Sequence, residues 1–294
     1  MRGLPNLHPS ISDELPNARA RYIMLGLGRE STAMLLMADR GLIGPKPDAA
    51  IVADTGDEKT SAMETLAMLQ SPNFALSIPI HVVKGGDLAE DFDAATSGRK
   101  SWFPNPPLYV KNDDGSRGQL TRGCTRDYKI RHEIGKMKAL LGYAKGARMP
   151  DHPIVEQWLG IAWNERHRMA PAPAPWIENR YPCVEIEWTT WRLMAWVKDE
   201  YGIDLESSGC KRCPFMDLRS QLAMKRRYPD DWEVRLAADR AARRGMPNVE
   251  RPAFLSDRLI PLDDLDLEAE IARREGTLLS HVHADQCPEG ACGV

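Results

Sequence analysis

The stretch YIMLGLGRESTAMLLMAD, residues 22–39, decides the fold, because a strand, a glycine turn and a helix follow one another in it without a break. Its first four residues predict a short buried strand, and residues 31–39 carry apolar side chains at helical spacing. The sequence DAAIVADTGDE repeats the pattern, with an apolar strand that ends at Asp54 and a helix predicted over 59–70. Strands that alternate with helices of this length indicate parallel β-α-β units and hence an α/β sheet covered on both faces.

Further strands and helices follow this first pair of units. The other predicted strands are 80–83, 154–163 and 184–187, and the other predicted helices are 125–141, 189–201, 218–228, 231–244 and 262–274. Residues 98–121 are rich in Pro, Gly, Asn and Asp and predict a long surface loop. We therefore expect a flexible N-terminal arm (1–20), a doubly wound, mostly parallel Rossmann-like α/β domain (21–187) and a helical, cysteine-bearing extension (188–294).

Composition limits the class of protein. The chain has 294 residues, of which 43% are hydrophobic and 28% are charged, as in a soluble globular protein. Its longest apolar run, residues 33–38, is far shorter than the roughly 20 residues that a membrane-spanning helix needs. The first twenty residues lack the apolar core of a secretory signal. We therefore expect a cytoplasmic protein without a membrane partner.

The charge is unevenly distributed. The whole chain has a formal net charge of −3, yet residues 99–150 contain twelve Lys or Arg and four Asp or Glu. Such a basic segment indicates an anionic partner, either a polyanionic substrate or a nucleic acid.

The glycine turn has the features of an oxyanion site. Gly26 and Gly28 allow the backbone N–H groups to converge, the following helix N-terminus adds partial positive charge, and Arg29, Ser31 and Thr32 supply donors. A Walker loop is excluded, because Gly-Lys-Ser/Thr occurs nowhere in the chain. A dinucleotide-binding turn of the G-x-G-x-x-G/A type stays open, although Ser31 holds its last position. Tight strand-to-helix packing is the alternative without a ligand.

Acidic residues follow the second strand, in the sequence Asp54-Thr-Gly-Asp-Glu58. In open α/β sheets ligands bind beyond the carboxyl ends of the strands, so these carboxylates are expected near the glycine turn. They suit ribose hydroxyls or a hydrated magnesium ion, or they cap the next helix.

Six cysteines without a secretory signal indicate thiols, metal ligands or redox pairs rather than a disulfide scaffold. Cys210 and Cys213 form a C-x-x-C pair, a spacing that lets two thiolates share one metal ion or close a disulfide. Cys183 follows a proline at a predicted strand start and is expected to be a small buried residue.

Taken in order, the motifs MLGLGRESTAML, VADTGDE, RGCTRDYKIRHEI, LGIAWNERHRM, SGCKRCPF and CPEGACGV resemble the PP-loop superfamily of adenine-nucleotide α-hydrolases. Within it the chain is similar to the phosphoadenylyl-sulfate (PAPS) reductase family, especially to members found in phage genomes. The chain departs from the family pattern at Gly26, where the PP-loop usually opens with Ser, and at Glu30, which often is Asp or Gln.

The resemblance implies roles for particular residues. It places phosphate or sulfate and the rest of the nucleotide at Gly26, Gly28, Arg29, Glu30, Ser31, Thr32, Asp54, Thr55, Glu58, Arg122, Glu165 and Arg168. Lys129 and Arg131 would act on the substrate as catalytic cations. Cys292, in the C-terminal motif, corresponds to the mobile cysteine whose thiol attacks the sulfur of the bound nucleotide, although the acidic residue that usually precedes that cysteine is absent.

The resemblance also implies a cysteine-ligated metal centre. Cys124, Cys210 and Cys213 match three of the four ligands of a 4Fe-4S cluster. The fourth ligand is Cys287 or Cys292, or one iron stays open; zinc bound by Cys210, Cys213, Cys287 and Cys292 is the alternative.

The resulting expectation is an enzyme that binds ATP or an adenylyl-sulfate and performs sulfur reduction or transfer, with a thiol reductant protein as a partner. Two alternatives stay open. The first is ATP-dependent modification, such as thiolation, of a base in tRNA or DNA. The second is a zinc-stabilised nucleic-acid-binding module with a decayed nucleotide pocket.

Overall fold

A computed structural model describes Leu15 and residues 18–284 of the chain, with side chains as far as Glu275. Most of the predicted N-terminal arm, together with Cys287 and Cys292, lies outside the described residues. The chain forms two compact units. Unit 1 contains the described residues up to Ala94, then Phe103–Asn105 and Thr121–Cys210, and unit 2 contains Ala95–Trp102, Pro106–Leu120 and the described residues from Lys211 onward.

Strands and helices are numbered in chain order. The strands are β1 (Ala20–Met24), β2 (Ala49–Asp54), β3 (Ile80–Lys84), β4 (Tyr109–Lys111), β5 (Arg117–Gln119), β6 (Val155–Leu159), β7 (Ile177–Arg180) and β8 (Ala253–Phe254). The α-helices are α1 (Arg29–Asp39), α2 (Thr60–Gln70), α3 (Leu88–Thr96), α4 (Arg131–Leu140), α5 (Pro182–Glu185), α6 (Thr190–Tyr201), α7 (Leu218–Arg227), α8 (Pro229–Arg244) and α9 (Leu267–Ala284). A π-helical turn, Thr125–Ile130, runs directly into α4, and 3-10 turns span Trp163–Arg168 and Leu262–Asp264.

Unit 1 is built on a five-stranded sheet of order β3-β2-β1-β6-β7. Each neighbouring pair is parallel, and β1 lies between β2 and β6. The chain therefore winds outward from β1 in both directions, which confirms the predicted doubly wound α/β fold. The switch in winding direction between β1 and β6 opens a crevice at the carboxyl edge, the place where such sheets bind ligands.

Two apolar cores cover the faces of this sheet. On one face α1 packs with α2 and α6, and all eight residues from Ser31 to Ala38 are buried. That burial explains why the sequence of α1 is apolar on every side. On the other face, Met137 of α4 packs with Trp176 and the side chains of β1 and β6. The sheet is thus held rigidly from both sides, which fixes the loops at its carboxyl edge.

Unit 2 combines a small antiparallel sheet, order β5-β4-β8, with α7, α8 and α9. Within it, the Asp239 carboxylate of α8 is fully buried and accepts hydrogen bonds from the backbone amides of Leu255 and Leu262. These bonds tie the segment after β8 to the helices. No described helix is long and apolar enough to cross a membrane.

Several local predictions are wrong. Residues 184–187 alternate in polarity as a strand does, but Pro182 at the first helical position starts α5 there instead. The predicted loop over 98–121 contains the β4–β5 hairpin, and β7 went unpredicted because Ile177-Glu-Asn-Arg180 has one apolar residue. The predicted strand over 154–163 ends at Leu159, and the helix predicted to begin at residue 262 begins at Leu267.

Candidate functional site

The site is centred on the loop that joins β1 to α1. Residues 26–28 of this loop leave the carboxyl end of β1 at the switch point of the sheet. Leu27 adopts a left-handed backbone conformation (φ 57°) with its side chain buried, which turns the chain sharply into α1. After β6, a Cβ added to Gly160 would lie 2.5 Å from the backbone N and Cα of Ser31. The absence of a side chain at residue 160 therefore lets the β6 exit approach the first turn of α1.

The first turn of α1 presents unsatisfied donors. The Gly28 carbonyl accepts hydrogen bonds from the Thr32 amide (3.0 Å) and the Ser31 hydroxyl (3.4 Å). Among the described residues, neither Oγ1 of Thr32 nor Nε of Arg29 has a hydrogen-bond partner, although both atoms are buried. No described side chain caps this helix N-terminus, whose free N–H groups carry partial positive charge. The turn therefore has the donors and the field that an oxyanion requires.

A second segment, residues 207–210, lies against this loop, and the sequence patterns did not predict it. A Cβ added to Gly28 would lie 2.7 Å from Oγ of Ser208 and 2.9 Å from its backbone N. The Lys59 ammonium donates to the Ser207 carbonyl, and the Glu58 backbone forms an antiparallel bridge with Cys210. Segment 207–210 thus connects the loop at β1 with the acidic turn after β2.

The acidic turn after β2 is held by its own side chains. The Asp54 carboxylate accepts the Gly56 amide at 2.8 Å, so it stabilises the turn itself. The buried Thr55 hydroxyl donates to Glu58 at 2.9 Å, and the Lys129 ammonium lies 3.3 Å from the same carboxylate. Of the three residues predicted here to contact a nucleotide, Glu58 lines the cavity described next.

A small cavity opens between the loop and α4. It is lined by Leu25, Gly26, Leu27, Val52, Ala53, Glu58, Lys129 and Glu133. Burial alone would lower the pKa of Lys129, but the Glu58 carboxylate outweighs it and holds that pKa above its usual value. Burial raises the pKa of Glu133 to about 7, although the Lys129 ammonium acts in the opposite direction. Lys129 is therefore a permanent cation, and Glu133 is a carboxyl group that can take up or release a proton near neutral pH.

Glu133 was absent from the predicted site. It lies four residues after Lys129, on the same side of the helix, and this i, i+4 spacing is the one signal in the sequence that indicates it. Its perturbed pKa depends on burial, which no local pattern reveals.

The other predicted site residues do not line this cavity. Glu30 accepts a hydrogen bond from the Thr190 hydroxyl at 2.9 Å, which ties α1 to the start of α6. Glu165 and Arg168 form an ion pair (2.8 Å) in the 3-10 turn after β6. Arg122 and Arg131 are exposed, the latter in the first turn of α4.

None of the four described cysteines forms a disulfide with another described residue. Cys183 is fully buried, as expected, and burial raises the pKa of its thiol to about 12. Burial, together with the neighbouring Glu58, also raises the pKa of Cys210 far above its usual value. Its Sγ lies 3.6 Å from the Thr55 hydroxyl.

The metal predictions find no support among the described residues. No three His, Cys, Asp or Glu side chains in that part of the chain are grouped so that they can hold a metal ion. The other predicted thiolate ligands, Cys287 and Cys292, lie outside the described residues, so the iron–sulfur cluster, the zinc ion and the magnesium ion stay predictions, and we derive no chemistry through a metal.

Comparison with known proteins gives little further information. No family model matches this sequence, and no curated protein matches it. A similar solved structure is the phosphate complex of phosphoadenylyl-sulfate (PAPS) reductase from Candida auris, with 15% sequence identity and a TM-score of 0.40. The likeness covers 66% of this chain and 76% of that one. A likeness of this size carries no argument about function, so the proposals below rest on the geometry of the site.

Proposed function

We propose that this protein is an adenine-nucleotide-dependent PP-loop enzyme that holds the phosphate or sulfate groups of its substrate at the first turn of α1. The observation that carries the proposal is the pair of buried, unpartnered donors at that turn, Oγ1 of Thr32 and Nε of Arg29. The resemblance of the ordered sequence motifs to the PAPS reductase family supports adenine as the base.

The energetics of the two donors favour a bound anion. A buried polar group without a hydrogen-bond partner costs about 1–3 kcal/mol. The oxygens of a phosphate or sulfate group bound at the helix N-terminus would accept a hydrogen bond from each donor and remove this cost for both. Hydrogen bonds to a charged acceptor are also roughly twice as strong as neutral ones. The donors of this turn are therefore preorganised to bind an oxyanion.

The cavity beside the loop supplies the remaining chemistry. Lys129, which stays charged at neutral pH, would stabilise negative charge that develops on a transferring phosphate or sulfate. Glu58 holds the ammonium in place at 3.3 Å. Glu133 lines the same cavity and would exchange a proton with an attacking or leaving group.

Two reactions use this arrangement. In the first, the Cys292 thiolate attacks the sulfur of phosphoadenylyl-sulfate, the S–O bond to the nucleotide breaks, and adenosine bisphosphate leaves; a dithiol reductant then releases sulfite and becomes a disulfide. In the second, an acceptor oxygen attacks the α-phosphorus of ATP and pyrophosphate leaves; a sulfur nucleophile then displaces AMP. Both need the same anion-binding turn.

Calorimetric titration tests the proposal. ATP and phosphoadenylyl-sulfate are titrated separately into the wild type, into Thr32→Val and into Thr65→Val, a control whose hydroxyl donates within α2 to the Ser61 carbonyl. We expect one of the two nucleotides to bind to the wild type. Its affinity for Thr32→Val should be lower by about tenfold or more, and its affinity for Thr65→Val should be unchanged. Failure of the wild type to bind either nucleotide would overturn the proposal. Sulfite release or AMP formation then identifies the reaction.

A further inference from the structure

Six exposed residues lie on segments of unit 1 that neighbour the β1–α1 loop (residues 26–28), which we call the nucleotide loop. They are Arg126, Arg131, Arg166, Arg168, Trp191 and Arg192, and we call them the edge patch. The first two lie in the π-helical turn and in α4, which pack against β2. Arg166 and Arg168 follow β6, and the last two open α6. Because β1 lies between β2 and β6, cations flank the loop on both sides.

The charge of the patch faces outward. In the pair of Arg126 with Asp127 the arginine side chain is 72% exposed and the aspartate 20%, and for Arg168 with Glu165 the values are 58% and 29%. The carboxylates therefore lie beneath the guanidinium groups they pair with. A partner that approaches this edge meets positive charge first.

Trp191 is the most exposed large hydrophobic side chain among the described residues, with 86% of its surface exposed. It stands on a fixed support, because Thr189 caps α6 and the Thr190 amide donates to the Asn164 side chain at 2.9 Å. The Thr190 hydroxyl donates a hydrogen bond to Glu30, so the residue before Trp191 is tied to the first turn of α1.

Cation–aromatic contacts hold two arginines of the edge patch. The Arg166 guanidinium lies 4.6 Å from the Trp163 ring centroid, and that of Arg192 lies 4.4 Å from the Trp188 ring. Fixed guanidinium groups and an exposed aromatic ring are the groups that contact the phosphates and the bases of a single-stranded nucleic acid.

We propose that the edge patch binds single-stranded nucleic acid, with the arginines on its phosphates and Trp191 stacked on a base. The inference rests on the proposed function in one respect, since it names the acceptor of that site as a base in a nucleic acid. A duplex fits less well, because stacking on Trp191 needs a base that is free of its neighbour.

Fluorescence anisotropy with a labelled single-stranded oligonucleotide tests this inference. We expect Trp191→Ala to weaken binding by about tenfold, the loss of one stacked base, and Trp191→Phe to retain most of it. The matched control is Trp102→Ala, which removes another exposed indole (61%) from unit 2 and should bind as the wild type does. The double variant Arg166→Ala/Arg192→Ala should reduce the slope of log K against log salt by about 0.7 for each lost phosphate contact.

Equal affinities of the wild type and Trp191→Ala, tighter binding of a duplex of the same sequence, or no binding of the oligonucleotide would each overturn the inference. Nucleotide titration of the same Trp191→Ala protein separates the two proposals. Oligonucleotide binding without ATP or phosphoadenylyl-sulfate binding would refute the proposed function alone, and the reverse result would refute the edge patch alone.

Discussion

A methyl group added at Gly28 tests the close contact between the nucleotide loop and segment 207–210. In Gly28→Ala the new Cβ would lie 2.7 Å from Oγ of Ser208, 2.9 Å from its Cβ and 2.9 Å from its backbone N. Because one of these atoms belongs to the backbone, rotation of a side chain cannot relieve the overlap. Gly26→Ala is the matched control, since its Cβ would have no neighbour closer than 3.8 Å.

The expected magnitudes separate the two variants. Overpacking of this kind typically costs about 1–3 kcal/mol. Where the backbone conformation allows it, replacing glycine by alanine stabilises the folded state by about 0.4–1 kcal/mol, because it lowers the conformational entropy of the unfolded chain. Neither glycine has a positive φ, so both positions allow alanine in this respect. Gly28→Ala should therefore lower the melting temperature by several degrees and weaken nucleotide binding, while Gly26→Ala should match or slightly exceed the wild type in stability.

Thermal unfolding followed by circular dichroism, together with calorimetric titration, measures both effects. Ser208→Gly introduced into Gly28→Ala should recover only part of the loss, since the backbone N of residue 208 remains in place. If Gly28→Ala has the melting temperature and the nucleotide affinity of Gly26→Ala, segment 207–210 does not lie against the loop.

Three further predictions concern ionisable groups. Lys129→Met leaves the buried Glu58 carboxylate without its ammonium partner and should cost about 1–3 kcal/mol in chemical denaturation, with Glu58→Gln in the same chain restoring part of it. The pKa of Glu133 is about 7 in the native state, above its unfolded value, so the stability of the wild type should fall as the pH rises from about 4.3 to 7. Glu133→Gln should flatten that part of the stability profile, and an unchanged profile would contradict the assignment. Arg180→Met breaks a buried ion pair with Glu156 and should cost about 1–3 kcal/mol, because the Arg21 guanidinium remains 3.0 Å from the same carboxylate. Burial raises the pKa of Glu156, but hydrogen bonds from a backbone amide and Arg180 outweigh it, so this stabilisation should be present above about pH 4.3 and be lost as the pH falls through the lowered native pKa.

The sequence predicts the β-α-β frame because its signals are local. The apolar run before Gly26, the glycine turn and the helical spacing after it lie within eighteen residues and agree with one another. The same holds for β2 and α2. From the parallel order the position of the site at the carboxyl edge follows, so the loop and the acidic turn could be placed together in advance.

Long-range contacts account for what the sequence does not reveal. Segment 207–210 meets Gly28 across about 180 residues of chain, and no periodicity encodes that contact. Gly160 appears in the sequence as an ordinary turn residue, yet its missing side chain lets the β6 exit approach Ser31. The pKa of Glu133 depends on burial in the folded chain. Each of these features requires the tertiary structure.

A crystal structure with ATP or phosphoadenylyl-sulfate bound tests most directly whether the first turn of α1 binds the anionic group of a nucleotide. We expect Oγ1 of Thr32 and Nε of Arg29 each to lie within hydrogen-bond distance, about 2.7–3.2 Å, of an oxygen of the bound phosphate or sulfate group. A nucleotide bound elsewhere, with these two donors satisfied by other groups of the protein, would contradict the proposed function.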